Sequence, residues 1–350
     1  AVIGFSGVGT VALASLLGVV SVLSGGRYTA GRVRTLGEGP LCSSWLYYSR
    51  IAGHEHLAAW FEVRCWADGA YEILPWVENG WWNVAAPTAW TGTASFTLNG
   101  AVRYSGALSI YSYCRPALLG ADPQPYRVGA NFATLLHDPP YLQTTRLVKR
   151  YWAAPNAAKL ASLGQTYTPM AAGNEAESTI PNVMGSGGFS PTIGLLSESD
   201  VCLVTSADPR ALRNVLLNAH IYGRFPVHYR DETTNRVVAL GAYPTWCLNS
   251  TNTGIASLSA SGTNSYTPAI VGPHTSYFFA DSHHPSAGYL AYLATGWHYH
   301  IETTQAVAAV CGYRMNSVHR QGADHLLRGE GLTGTVSQRG HAWALRTWAQ

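Results

Sequence analysis

The pattern of apolar and polar positions changes period about half way along this chain. From Gly31 to Tyr113 apolar residues alternate with polar ones in short runs, the period of a strand with one buried face. Leu57 to Trp66 reads as a strand, Asp68-Gly69 as a turn and Tyr71 to Glu78 as the returning strand. Pro75 inside that second run predicts an edge position or a bulge, because proline cannot donate to a ladder. Ala94 to Tyr104 reads as a further hairpin turning on Asn99-Gly100, and Leu108 to Tyr113 follows it. Strands at this spacing with glycine turns favour an antiparallel β-sandwich. The stretch from 115 to 192 is irregular and rich in Pro, Gly, Asn and Ser, so the sandwich with its long loops is assigned to residues 31–192.

Helical spacing takes over at residue 193. The piece from Ile193 to Thr205 is a helix candidate, although Val201 to Val204 also suits a strand. Asp208 is a good N-cap, Pro209 stands at the first helical position, and Ala211, Leu212, Val215, Leu216 and Ala219 form an apolar stripe. Residues 248–276 read as a polar surface excursion. A helical hairpin then covers roughly 285–313. Pro285 suits its first turn, Tyr289, Leu290 and Leu293 recur at helical spacing, and Gly296 reads as a stop. A second helix carries His298, His300 and Glu302, and Gln338 to Gln350 predicts another. Helical hairpins in series after a β-domain suggest an α/α toroid over residues 193–350. That toroid is expected to be incomplete, as part of a longer protein.

Residues 1–30 change this picture in one respect. Ala1 to Gly26 carries no charge, a length that suits a membrane span. Its six glycines, four serines and clustered β-branched residues favour two strands with turns instead. A membrane partner is therefore not expected.

Composition narrows the function. Only 12% of residues are charged, while Trp numbers 12 and Tyr 20. Low charge with many amphipathic aromatics fits an extracellular or assembled protein whose surface meets sugars or other subunits. The net charge of +3 is too small for nucleic acid. The six cysteines, at 42, 65, 114, 202, 247 and 311, include no CxxC pair, which argues against a zinc knuckle and leaves disulfides and buried thiols both open.

Three segments carry a resemblance: His228 to Arg236, His284 to Gly296, and Arg339 to Arg346. They resemble a family encoded by phages and prophages that is similar to exo-acting rhamnogalacturonan lyases, with β-domains followed by an α/α toroid. The resemblance spans roughly residues 40–350. It implies a virion-associated or extracellular protein that meets a polysaccharide or cell-surface glycan and packs with other virion subunits or copies of itself. Its function is then structural or host-recognising, with cleavage of an acidic polysaccharide by β-elimination as the alternative.

A lyase needs a cation to neutralise the uronate carboxylate, a base and an acid. His283 or His284 is the candidate base, Tyr289 the candidate acid, and Arg230 or Arg339 the carboxylate partner. Each has a plain structural alternative: His284 bordering its helix, Tyr289 packing in the core, Arg230 in an ion pair. Trp81, Trp82 and Trp297 are candidate sugar-stacking residues if exposed, and core residues if buried. Trp81 and Trp82 cannot both face inward on one regular strand. His298 and Glu302 have i,i+4 spacing but supply two ligands at most, so no metal is expected, and no cofactor.

Overall fold

The structure is a computed structural model. It describes residues 1–5, 9–13, 27–51, 54–82, 89–130, 132, 134–146, 148–151, 153–163, 166–170, 194–239, 241–243, 279, 284–313 and 338–350. The fold is mixed β and α. The strands are β1 (Val2–Phe5), β2 (Gly9–Leu13), β3 (Arg27–Gly37), β4 (Cys42–Ile51), β5 (His54–Trp66), β6 (Tyr71–Glu78), β7 (Trp90–Leu98), β8 (Ala101–Ile110), β9 (Tyr126–Val128), β10 (Arg230–Asp231) and β11 (Arg236–Val237). The helices are α1 (Pro139–Thr144), α2 (Ala157–Ala161), α3 (Glu198–Ser206), α4 (Pro209–Ile221), α5 (Tyr289–Thr295), α6 (His298–Tyr313) and α7 (Gln338–Ala349).

Nine strands follow one another in the order β8-β7-β1-β2-β3-β4-β5-β6-β9, and β10 pairs with β11 alone. The pairings are antiparallel except β2 with β3, where Thr10 to Leu13 run parallel to Arg27 to Ala30. β3 thus joins two antiparallel groups, β8-β7-β1-β2 and β3-β4-β5-β6-β9. The described part of the uncharged N-terminal run is therefore strand. Among the described residues no helix is long and apolar enough to cross a membrane.

The strand period of two decides what each group faces. On β5, Leu57, Ala59, Phe61 and Val63 point one way and pack with Ile3 and Phe5 of β1, Ala94, Phe96 and Leu98 of β7, and Leu108 and Ile110 of β8. Phe61 and Phe96 approach to 6.5 Å between ring centres across this core. The alternate residues of β5 and β6, Ala58, Trp60, Leu74 and Trp76, enter a second core with Leu217, Ile221, Tyr222, Trp297, Tyr299 and Val307 from the helical half. Trp60 and Trp76 stack there at 5.8 Å with 3° between their planes. The β4-β5-β6 group is the middle of three layers, buried on both faces.

Several local predictions hold for identifiable reasons. Asn99 (φ 51°) and Gly100 (φ 78°) both take left-handed backbone, the geometry that tightens a two-residue hairpin. Asp208 accepts the Arg210 amide at 2.8 Å, with Pro209 next to it, so α4 starts where its cap places it. The stretch that suited helix or strand is helix: Ser197 and Asp200 form a reciprocal cap at the start of α3. Gly296 ends α5 at φ 69°.

Two predictions are corrected. Pro285 does not begin a helix, because α5 starts at Tyr289 behind Gly288 (φ 90°). The carbonyls of Pro285 and Ala287 are taken instead by the hydroxyls of Tyr222 and Thr304. Pro75 is not at an open edge or bulge. It pairs with Phe61 in an unbroken ladder, and its carbonyl accepts the Leu118 amide at 2.9 Å. Cys42, Cys65, Cys114, Cys202 and Cys311 form no disulfide among the described residues. Cys247 and the 248–276 excursion lie outside the described residues.

Candidate functional site

The residues expected to act together have different surroundings in the structure. His284 is buried, its ring flanked by Phe279 at 5.4 Å and Phe225 at 5.1 Å. Its carbonyl accepts an N–H of Arg346 from α7 at 3.1 Å. Tyr289 stands at the start of α5 and lines a largely apolar cavity of about 570 Å³ with Leu135, Leu142, Leu195 and Leu293. His283 lies outside the described residues. Arg339 falls in the first turn of α7, and its side chain is likewise outside them.

Arg230 is engaged internally. Its guanidinium meets Glu78 through Nε and through Nη2, the latter at 2.7 Å, and meets Glu302 through Nη2 at 2.8 Å. Nη1 donates to the Asn235 carbonyl at 2.7 Å, and the group lies over Trp60 at 4.4 Å. Glu302 also pairs with Arg115, whose Nη2 donates to the Tyr299 carbonyl at 2.8 Å and to Thr303 at 2.7 Å. All four charged side chains are buried. Burial disfavours each of these charges, so each needs an opposite charge beside it. Burial pushes the Glu302 carboxyl upward, but Arg230 and Arg115 outweigh it and hold that carboxyl well below its usual range. For Arg230 the Glu302 and Glu78 charges outweigh burial and hold it further up. This chain of two arginines and two carboxylates ties β6, β10, the segment at Arg115 and α6 together.

The three tryptophans considered for sugar stacking are 7%, 5% and 2% exposed at Trp81, Trp82 and Trp297. Trp81 forms an isolated bridge to Arg230 and Trp82 follows in a bend, so irregular backbone lets both rings turn inward. Arg50 covers the Trp81 ring at 3.8 Å, and Arg64 covers Trp297 at 4.3 Å. None offers an open face to a ligand.

An open polar cleft lies on another side of α6. It measures about 520 Å³ and is lined by Arg34 of β3, Arg236 and Val237 of β11, His298, Glu302 and Gln305 of α6, and Trp348 of α7, with Val238, Ala239, Ala308 and Ala309. Here the i,i+4 spacing of His298 and Glu302 does bring both side chains to one lining. Arg34 donates to Nε2 of His298 at 2.8 Å, so that nitrogen is unprotonated and the ring is neutral. Burial, reinforced by Arg34 and its neighbours against the pull of Glu302, lowers His298 to about 4. Trp348 donates its Nε1–H to the Ala308 carbonyl at 2.8 Å, which fixes the indole plane. Glu302 both lines the cleft and pairs with the buried Arg115 and Arg230, neither of which belongs to the lining.

Sequence reasoning missed Arg34, Arg236, Gln305 and Trp348 as a group. They come from four elements, and no local motif links them. Among the described residues no cluster of three or more His, Cys, Asp or Glu is arranged to hold a metal ion. Comparison with family models, curated proteins and solved structures found no match to this chain.

Proposed function

We propose that this chain is a structural or host-recognition protein of a virion that engages cell-surface glycan without cleaving it. The observation that carries this reading is the commitment of Arg230 to Glu78 and Glu302 in a buried network. A lyase needs a cation free to meet the substrate carboxylate, and this one has its charge matched from within. His284 adds to the argument, since aromatic rings flank it and no lining of the open cleft includes it. In the cleft itself, His298 at about 4 is too weak a base for abstracting a carbon-bound proton. The neighbouring helices α3 and α4, and then α5 and α6, suit the successive hairpins of an incomplete α/α toroid, and the low share of charged residues in the chain suits packing against other virion subunits.

The test has two arms on the intact chain. Incubation with a panel of acidic polysaccharides is expected to yield no unsaturated uronate ends by ultraviolet absorbance, and immobilised polysaccharides from the same panel are expected to retain the protein. Product formation that disappears in His284→Ala would overturn the non-catalytic reading. Retention on no glycan would overturn the recognition role.

A further inference from the structure

We infer that the cleft between β3, β11, α6 and α7 binds a saccharide bearing a carboxylate, with Arg34 and Arg236 as its anion partners. The inference rests on the glycan-engaging reading and names the site and the chemistry within it.

The charge arrangement comes first. Arg115 and Arg230, outside the lining, are matched by Glu302 and Glu78. Arg34 and Arg236 form no ion pair among the described residues. Asp231 stands opposite Arg236 in the β10–β11 register, but its carboxylate accepts the Thr233 and Thr234 amides and the Tyr243 hydroxyl and forms no ion pair with Arg236 among the described residues. Arg34 is only partly exposed, and burial lowers its pKa, an effect that Glu302 offsets in part and Arg236 adds to. Its one described hydrogen bond goes to a neutral imidazole, which accepts a proton without supplying charge. The remaining guanidinium donors are available to a carboxylate, whose two oxygens match that fork.

The rest of the lining selects a sugar over a bare ion. Val237, Val238, Ala308 and Ala309 form an apolar wall with the fixed indole of Trp348. Such a wall suits the C–H face of a pyranose ring, while a small inorganic anion gains nothing from it. Gln305 presents an amide that can both donate to and accept from ring hydroxyls. The volume of about 520 Å³ lies inside the range of small-molecule sites.

Calorimetric titration of the intact chain tests this with D-glucuronate and D-galacturonate, each against its neutral parent hexose and against inorganic phosphate. The uronates are expected to bind at least about tenfold tighter than the hexoses, as a charge-assisted hydrogen bond implies. Arg236→Gln, on an exposed side chain that leaves the core untouched, is expected to weaken uronate binding about tenfold, and Arg34→Gln by as much. Added salt should weaken it further. Equal affinity for uronate and hexose, unchanged in both variants, would overturn the site while leaving glycan engagement intact. Phosphate binding as tightly as the uronates would reduce the cleft to a simple anion site and overturn the saccharide assignment. Failure of every polysaccharide to retain the protein would remove the reading beneath it.

Discussion

The Glu62 carboxylate, buried on β5, accepts the backbone N–H of Tyr299 at 2.9 Å, and its other oxygen accepts the His298 amide at 2.7 Å. A residue of the sheet therefore closes the first turn of α6, the helix that lines the cleft. The helix dipole favours a negative charge at that place. Burial opposes it more strongly, and the carboxyl is pushed up to about 7 despite these two amides.

That value gives a pH dependence with a defined sign. In the unfolded chain Glu62 titrates at the ordinary position near 4.5, and in the folded chain near 7. Between those values the folded state holds the extra proton, so this group lowers stability as pH rises. Buried neutral histidines act oppositely. His220 lies at about 3 and His298 at about 4, both lowered by burial from 6.5, so the unfolded chain takes up protons first as pH falls below 6.5. Their contribution is lost downward from pH 6.5. Asp200, raised by burial to about 6, acts as Glu62 does, while burial lowers His228 and His300 as it lowers His220 and His298. Four such histidines outnumber the two carboxyls, so stability should rise with pH to about 6.5. In Glu62→Gln that slope should steepen by up to one proton, about 1.4 kcal/mol per pH unit. Urea midpoints at pH 5, 6 and 7 would measure it, and an unchanged slope would contradict the placement of Glu62.

Glu302→Gln removes the charge shared by Arg115 and Arg230. Breaking one partner of a buried pair costs about 3–5 kcal/mol, because the remaining charges stay buried and unmatched. Equilibrium denaturation should show that loss. A change below about 1 kcal/mol would mean that water reaches the network.

Gly288 holds φ at 90°, and a Cβ there would run into the His300 carbonyl. Gly288→Ala should therefore lower stability by at least about 2 kcal/mol, strain and overlap together. Thermal unfolding followed by circular dichroism would register it. Gly100→Ala shares the positive φ and meets open space, so the smaller loss expected there isolates the strain from the overlap.

Tyr289→Phe tests the alternative chemistry at low risk to the fold. The phenol stands at the partly exposed start of α5, so stability should change by less than about 0.5 kcal/mol. Retention on acidic polysaccharide should be unchanged. A selective loss of any lyase product in this variant would restore Tyr289 as the acid.

The sequence exposed the local structure more fully than the site. Asp208, Asn99-Gly100 and Gly296 act through their own backbone, so each could be read in place. Pro285 could not, because distant hydroxyls of Tyr222 and Thr304 settle its surroundings. Glu62 and Glu78 were opaque for another reason. On strands that alternate, a carboxylate ordinarily marks the wet face. Here that face is covered by helices, and the charges are met by Arg64, Arg230 and the amides of α6. The His298–Glu302 spacing was visible, but its partners Arg34, Arg236 and Trp348 arrive through tertiary packing alone.

The two-faced burial of β5 has a further meaning for dissecting the molecule. The change from strands to helices near residue 192 looks like a seam in the sequence. Cutting there would strip the helical cover from Trp60, Trp76, Leu74 and Leu46 and leave Glu62 and Glu78 facing solvent beside them. An isolated β-half would carry an adhesive aromatic surface, and an isolated helical half would lack the carboxylate that closes α6. Fragments made at that point should be insoluble separately and recover only when produced together.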